Sequence, residues 1–232
     1  MQKNNSLSVT MGKSEQLLGA VYLMLSLGLL PVLFPFCALL LFPNINSTQL
    51  NFSYFVFQFL CVAVILRKFL WKSLQELGNH PLRLATTVVL GLVGYTLLNY
   101  LVSLAIVLIF PGFSNVNDGN IAVLAAQNYP LMAFGTIFLV PVAEECLYRG
   151  VVFGNLLKRS AVAAYLVSIV LFCAIHVMGY IGSYDILTLL LCALQYIPAG
   201  LCLAWAYRRT DSIFAPILIH AIINAIGIFS VR

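Results

Sequence analysis

Residues 131–157, LMAFGTIFLVPVAEECLYRGVVFGNLL, are long and apolar enough to form one bilayer-crossing helix, yet they carry Glu144, Glu145 and Arg149 at their centre. About 20 mostly apolar residues suffice to span the hydrocarbon layer. An ionisable side chain at the middle of such a helix costs about 2.5–3.5 kcal/mol even on lenient insertion scales. Three of them together need a partner, a wet cavity or a chemical task.

The rest of the chain has the same character. Of 232 residues, 62% are hydrophobic and only 8% charged, where soluble domains carry roughly a quarter; the mean hydropathy is +1.02. This composition specifies an all-α polytopic membrane protein. Apolar runs predict about seven spans, near 17–42, 50–66, 84–110, 131–157, 161–178, 186–207 and 213–229, forming a single transmembrane domain over 1–232. Within it, 1–130 supply N-terminal spans and 131–230 the polar core. Pro31 and Pro35 are expected to kink the first span. Residues 69–81, with Trp71 and Lys72, read as an interfacial segment, and 111–130 as a polar loop. Asp211 or Ser212 is placed to cap the last helix.

Charge sets an orientation. Lys3, Lys13, Arg67, Lys68, Lys72, Arg83, Lys158, Arg159, Arg208 and Arg209 fall on one side of the expected membrane and Arg232 on the other, which puts the N-terminus in the cytoplasm. The net charge of +5 is thereby explained as topology, and nucleic acid is excluded as a partner. The polar start lacks a signal-peptide cleavage site and is expected to be retained. Six cysteines lie in apolar runs without paired spacing, so they read as small buried residues. No inverted pair of broken helices supports a transporter.

Two further polar patches lie inside the last spans: Phe172 to His176, and His220 to Asn224. At 1.5 Å per residue, Glu144, His176, His220 and Asn224 sit roughly 20, 22, 12 and 18 Å from the basic ends of their helices, close enough in depth to meet. Glu145 and Arg149 are four apart and can pair on one helix face, while Glu144, rotated by about 100°, faces elsewhere. His220 and Asn224, also four apart, are expected to aim two hydrogen-bond donors at one spot, as an oxyanion requires. A carboxylate in an apolar site is a good general base, and His176 could bond it or its water. Metal ligation is the rival reading, but there is no HExxH and Asn224 is a poor zinc ligand. No metal or cofactor is expected. Gln195 and Tyr196 read as links between helices, Asp185 as a solvated or capping residue, and His80 as a solvated or headgroup residue.

These three patches, Glu144-Glu145-xxx-Arg149, Phe172-xxx-His176 and His220-xxx-Asn224, resemble in order the signature of the CAAX-protease and bacteriocin-processing (CPBP, or Abi) family of intramembrane glutamic endopeptidases. The resemblance implies that Glu144 and His176 activate water and that His220 and Asn224 form the oxyanion hole. Glu145, Arg149 and Phe172 then support them. It also implies a membrane-associated peptide or protein substrate. Length and lack of a retention signal favour a bacterial plasma membrane. The alternative is a non-catalytic immunity or regulatory protein that keeps the polar core for helix packing.

Overall fold

Asparagine, serine, aspartate and proline mark where the helices begin and end. The computed structural model describes Leu7 and residues 9–231; Lys3 and Arg232, used in the charge count, lie outside the described residues. Ten helices follow: α1 (Lys13–Leu27), α2 (Leu30–Leu41), α3 (Ser47–Ile65), α4 (Arg67–Glu76), α5 (Pro81–Ile109), α6 (Val116–Gln127), α7 (Tyr129–Leu157), α8 (Ala161–Met178), α9 (Ile186–Thr210) and α10 (Phe214–Ser230). Asn46, Asn115, Asn128, Ser160 and Asp185 each accept a backbone N–H of the helix that follows them, satisfying donors that the first turn leaves orphaned. Asp185 also accepts the Thr188 hydroxyl, and these bonds hold its carboxyl below the usual range.

Helices α3, α5, α7, α8 and α9 are long and apolar enough to cross a membrane, which makes this an all-α polytopic membrane protein. The α1–α2 pair, bent by 71°, makes a sixth span if it crosses as one broken unit. Helix α10 has 17 residues, about 25 Å, and is short for a full crossing. Seven is reached only by counting both.

Three expectations need correcting. The first span breaks at Gly28-Leu29, ahead of Pro31 and Pro35. Gly28 ends α1, Pro31 occupies the first turn of α2, where a missing N–H costs nothing, and Pro35 stays inside α2. Residues 111–130 are no open loop, because Asn115 starts a helix that fills most of the stretch. Asp211 does not cap α10; it ends α9 in the left-handed conformation at φ 60°, and the Ser212 hydroxyl accepts the Phe214 N–H instead.

The core lies where α7, α8, α9 and α10 meet. Phe153, Phe172, Leu203, Ile213 and Ile219 are fully enclosed there. Along α5 only Thr87, Gly91 and Ile106 are buried, while Leu97, Leu101 and Leu108 face outward, as a lipid-facing helix requires. Four cysteines are buried, but Cys37 is exposed and Cys61 half-buried, and all six are free thiols. The described part of the polar start is also built in. Leu7, Val9 and Met11 are buried, and Glu15 accepts the N–H groups of Gly12, Lys68 and Phe69, tying the start of α1 to the start of α4.

Small residues let helices approach. A Cβ on Gly91 would lie 2.5 Å from Ile219 Cδ1, and Ile219 precedes His220. Gly91→Ala is expected to be absorbed by rotation of the Ile219 tip. Gly91→Leu should overpack the α5–α10 contact at about 1–3 kcal/mol, read as a lower melting midpoint in detergent; an unchanged midpoint contradicts this packing.

Candidate active site

Pro141 shapes the helix that carries the glutamates. A π-helical stretch, Gly135–Leu139, precedes it, and the Val140 N–H bonds the Gly135 carbonyl five residues back. In that register the partner of the Thr136 carbonyl would be the nitrogen of Pro141, which has no hydrogen. The Asn224 side chain supplies the missing donor, with Nδ2 2.7 Å from the Thr136 oxygen. A second π-helical stretch, Cys146–Phe153, starts just after Glu145. Such wide turns are common at functional sites.

Glu145 is the hub of the buried charges. Its Oε1 accepts Arg149 Nη1 at 3.0 Å and faces His220 Nδ1 at 2.8 Å. Glu145 and Arg149 are wholly buried and His220 nearly so. Arg149 also donates Nη2 to the Gly200 carbonyl at 3.3 Å and stands 4.3 Å from the centre of the Phe172 ring. Carboxylate, carbonyl and π-face thus surround the guanidinium, which is how a buried charge is tolerated.

Phe172 is the other organiser. Its ring meets His176 at 4.7 Å and the edge of His220 at 5.7 Å. Its carbonyl lies 2.7 Å from His176 Nδ1. A carbonyl only accepts, so Nδ1 of His176 carries the hydrogen and Nε2 presents a lone pair. By the same reasoning the carboxylate assigns the hydrogen of neutral His220 to Nδ1.

Glu144 is treated differently from its neighbour. It is half-buried, its Oε2 is enclosed without a hydrogen-bond partner, and the titratable groups around it are His220, Glu145 and Arg149. Glu145 Oε2 and Arg149 Nε, on the same helix, are likewise unpartnered. Such buried groups call for a donor or acceptor from outside the protein.

The sequence-derived residues are therefore brought to one region, with two differences. No direct hydrogen bond joins His176 to Glu144, since the His176 Nδ1 bond goes to its own helix. His220 and Asn224 do not point both donors at one spot, because each spends one N–H on the protein. What remains is the second amide N–H of Asn224 and the Nε2 edge of His220, which donates only when the ring carries both protons. Among the described residues, no three His, Cys, Asp or Glu side chains are grouped to hold a metal ion. Sequence reading missed the Thr136 and Gly200 carbonyls, because a backbone acceptor has no residue-type signal. It placed Tyr196 as a helix link without its contact to His176, a stacked pair 4.0 Å apart.

Removing Arg149 leaves a buried carboxylate with half its support. Arg149→Leu is expected to cost about 3–5 kcal/mol, visible as loss of folded, extractable protein. Normal yield and melting would show that the charges are solvated instead.

Comparisons with known proteins bear on the same segment. Residues 125–226 match the family model of the type II CAAX prenyl endopeptidase Rce1-like proteins. A Bacillus subtilis protein, YdiL, whose name describes a membrane peptidase, is 31% identical over 115 residues, covering 49% of this chain and 43% of YdiL. The UPF0177 protein YxdF of Lactococcus lactis is 26% identical over 141 residues, 60% of this chain and 72% of YxdF. The match thus spans less than half of YdiL. No solved structure matches. Residues 125–226, which hold Glu144, Glu145, Arg149, Phe172, His176, His220 and Asn224, are thus similar to the Rce1-like CAAX-protease proteins.

Proposed function

We propose that this protein is an intramembrane glutamic endopeptidase of a bacterial plasma membrane, N-terminus cytoplasmic, cleaving a peptide bond of a membrane-associated protein or peptide. The observation that carries the reading is the unequal treatment of two adjacent carboxylates. Glu145 is bound by Arg149 and His220, whereas Glu144 keeps a buried oxygen with no protein donor. A water molecule bonded there is held by a base in an apolar surrounding, where proton abstraction is favoured.

The chemistry then needs no side-chain nucleophile. Glu144 takes a proton from water, and the resulting hydroxide adds to the scissile carbonyl. The free lone pair of His176 Nε2 can hold the second water hydrogen and aim the attack. The oxyanion is met by the spare Asn224 N–H and by His220 Nε2 when the ring is doubly protonated, its positive charge balanced by Glu145 through Nδ1. Glu144 returns its proton to the departing amine, the C–N bond breaks, and the carboxyl group is regenerated as carboxylate.

The test compares membrane proteomes of cells carrying the wild-type protein and Glu144→Gln, followed by cleavage of the peptide found, using purified enzyme. Loss of the general base should lower kcat by roughly 10²–10⁴-fold with unchanged expression and melting. Asn224→Ala should lose about 10²-fold or more. A Glu144→Gln protein that restores the wild-type peptide pattern would mean the polar core serves packing alone.

A further inference from the structure

His176 is held from two sides, and one of them is anchored by residues that precede the stretch matching the family model. Phe172, one turn back on α8, covers one part of the imidazole. Tyr196 on α9 stacks on it with 4.0 Å between ring centres and 24° between planes. The Tyr196 hydroxyl is not left to lipid. It donates to Asp118 Oδ1 at 3.0 Å and accepts from Asn117 Nδ2 at 3.0 Å, both in the first turn of α6. That turn is itself pinned: Asn115 Nδ2 donates to Gln195 Oε1 at 2.8 Å, and Tyr180 donates to Asn117 Oδ1 at 3.2 Å.

The chain of contacts runs from α6 through Tyr196 to the imidazole. Rotation about the Cβ–Cγ bond would break the Nδ1 bond to the Phe172 carbonyl, and the stacked ring opposes the same motion. Stacking alone leaves the tyrosine free to slide. Two hydrogen bonds at its far end, one given and one received, define where its ring lies.

We propose that Tyr196 is a positioning residue for His176, and that Asn117 and Asp118 in the first turn of α6 form the clamp that sets it. α6 is then a functional part of the site, not a connector between spans. The catalytic meaning of this rests on the peptidase reading, but the clamp is a physical claim that can be tested without a substrate.

The chain has only three histidines, His80, His176 and His220, so diethyl pyrocarbonate labelling followed by peptide mass spectrometry reports each one separately in the full-length protein in nanodiscs. His80 is exposed and serves as an internal reference; His220 is buried. In Tyr196→Phe, which removes a single oxygen and keeps the ring, His176 should react several-fold faster than in the wild type. In Tyr196→Leu the increase should reach about tenfold, the equivalent of losing an aromatic pair. Asn117→Ala combined with Asp118→Ala, which leaves α9 and its tyrosine intact, should reproduce the Tyr196→Phe rate. His80 and His220 should keep their rates in all three. Unchanged His176 labelling in Tyr196→Phe and in the Asn117/Asp118 pair overturns the clamp, and equal acceleration at His220 overturns it too, by showing general loosening. With substrate, Tyr196→Phe should lower kcat while KM stays put, and Tyr196→Trp should restore more activity than Tyr196→Leu. Full activity of Glu144→Gln would defeat the peptidase reading and leave the labelling result standing, so the two failures are distinguishable.

Discussion

One carboxylate organises this molecule. Glu145 Oε1 gathers a guanidinium from its own helix and an imidazole from a helix 75 residues on, in a setting closed to solvent. The guanidinium could not be buried there without it, and its own charge could not be buried without that partner and the imidazole bond. Because α7 and α10 share this knot, their relative depth is fixed, and with it the positions of Glu144, Thr136 and Asn224. The apolar packing around Phe153, Phe172 and Ile219 supplies the bulk of the contact, but it has no direction of its own. In a bilayer, where lipid competes with every leucine, polar contacts and close approach choose one arrangement over another.

Irregular backbone does similar work. Pro141 withholds a donor, the helix widens before it, and the Thr136 carbonyl is left for Asn224. A residue implied in catalysis is thus also a strut between α10 and α7. This dual use explains how one amide can be placed accurately in a membrane core. One N–H locks the side chain, and the other stays available in a direction the first has determined.

The legibility of these features in the sequence followed the range of the interaction. Helix positions could be read, because apolar runs and a cap such as Asp185 are local. The Glu145–Arg149 pair could be read, since spacing of four puts both on one face. The His220 bond to Glu145 could not, because nothing local tells which neighbour an imidazole will find. Helix α6 was hidden by its composition: Asn115, Asn117, Asp118 and Gly119 resemble a loop until the same polar groups find Gln195 and Tyr196 across the bundle. The bend at Gly28 was misplaced onto Pro31 and Pro35 because proline marks where a helix can begin as readily as where it breaks. Within the polar start, Leu7, Val9 and Met11 are spaced so that alternate side chains go inward.

The central claim is that adjacent glutamates have separate jobs, Glu145 holding His220 and Glu144 facing the reacting water. Nitrogen-15 NMR of histidine-labelled protein tests it directly, since three imidazoles give an assignable spectrum. The account predicts that the Nδ1 proton of His220 is strongly deshielded by a carboxylate bond, that Glu145→Gln abolishes that signal, and that Glu144→Gln leaves it in place. A signal lost in Glu144→Gln and kept in Glu145→Gln would contradict the assignment of both residues.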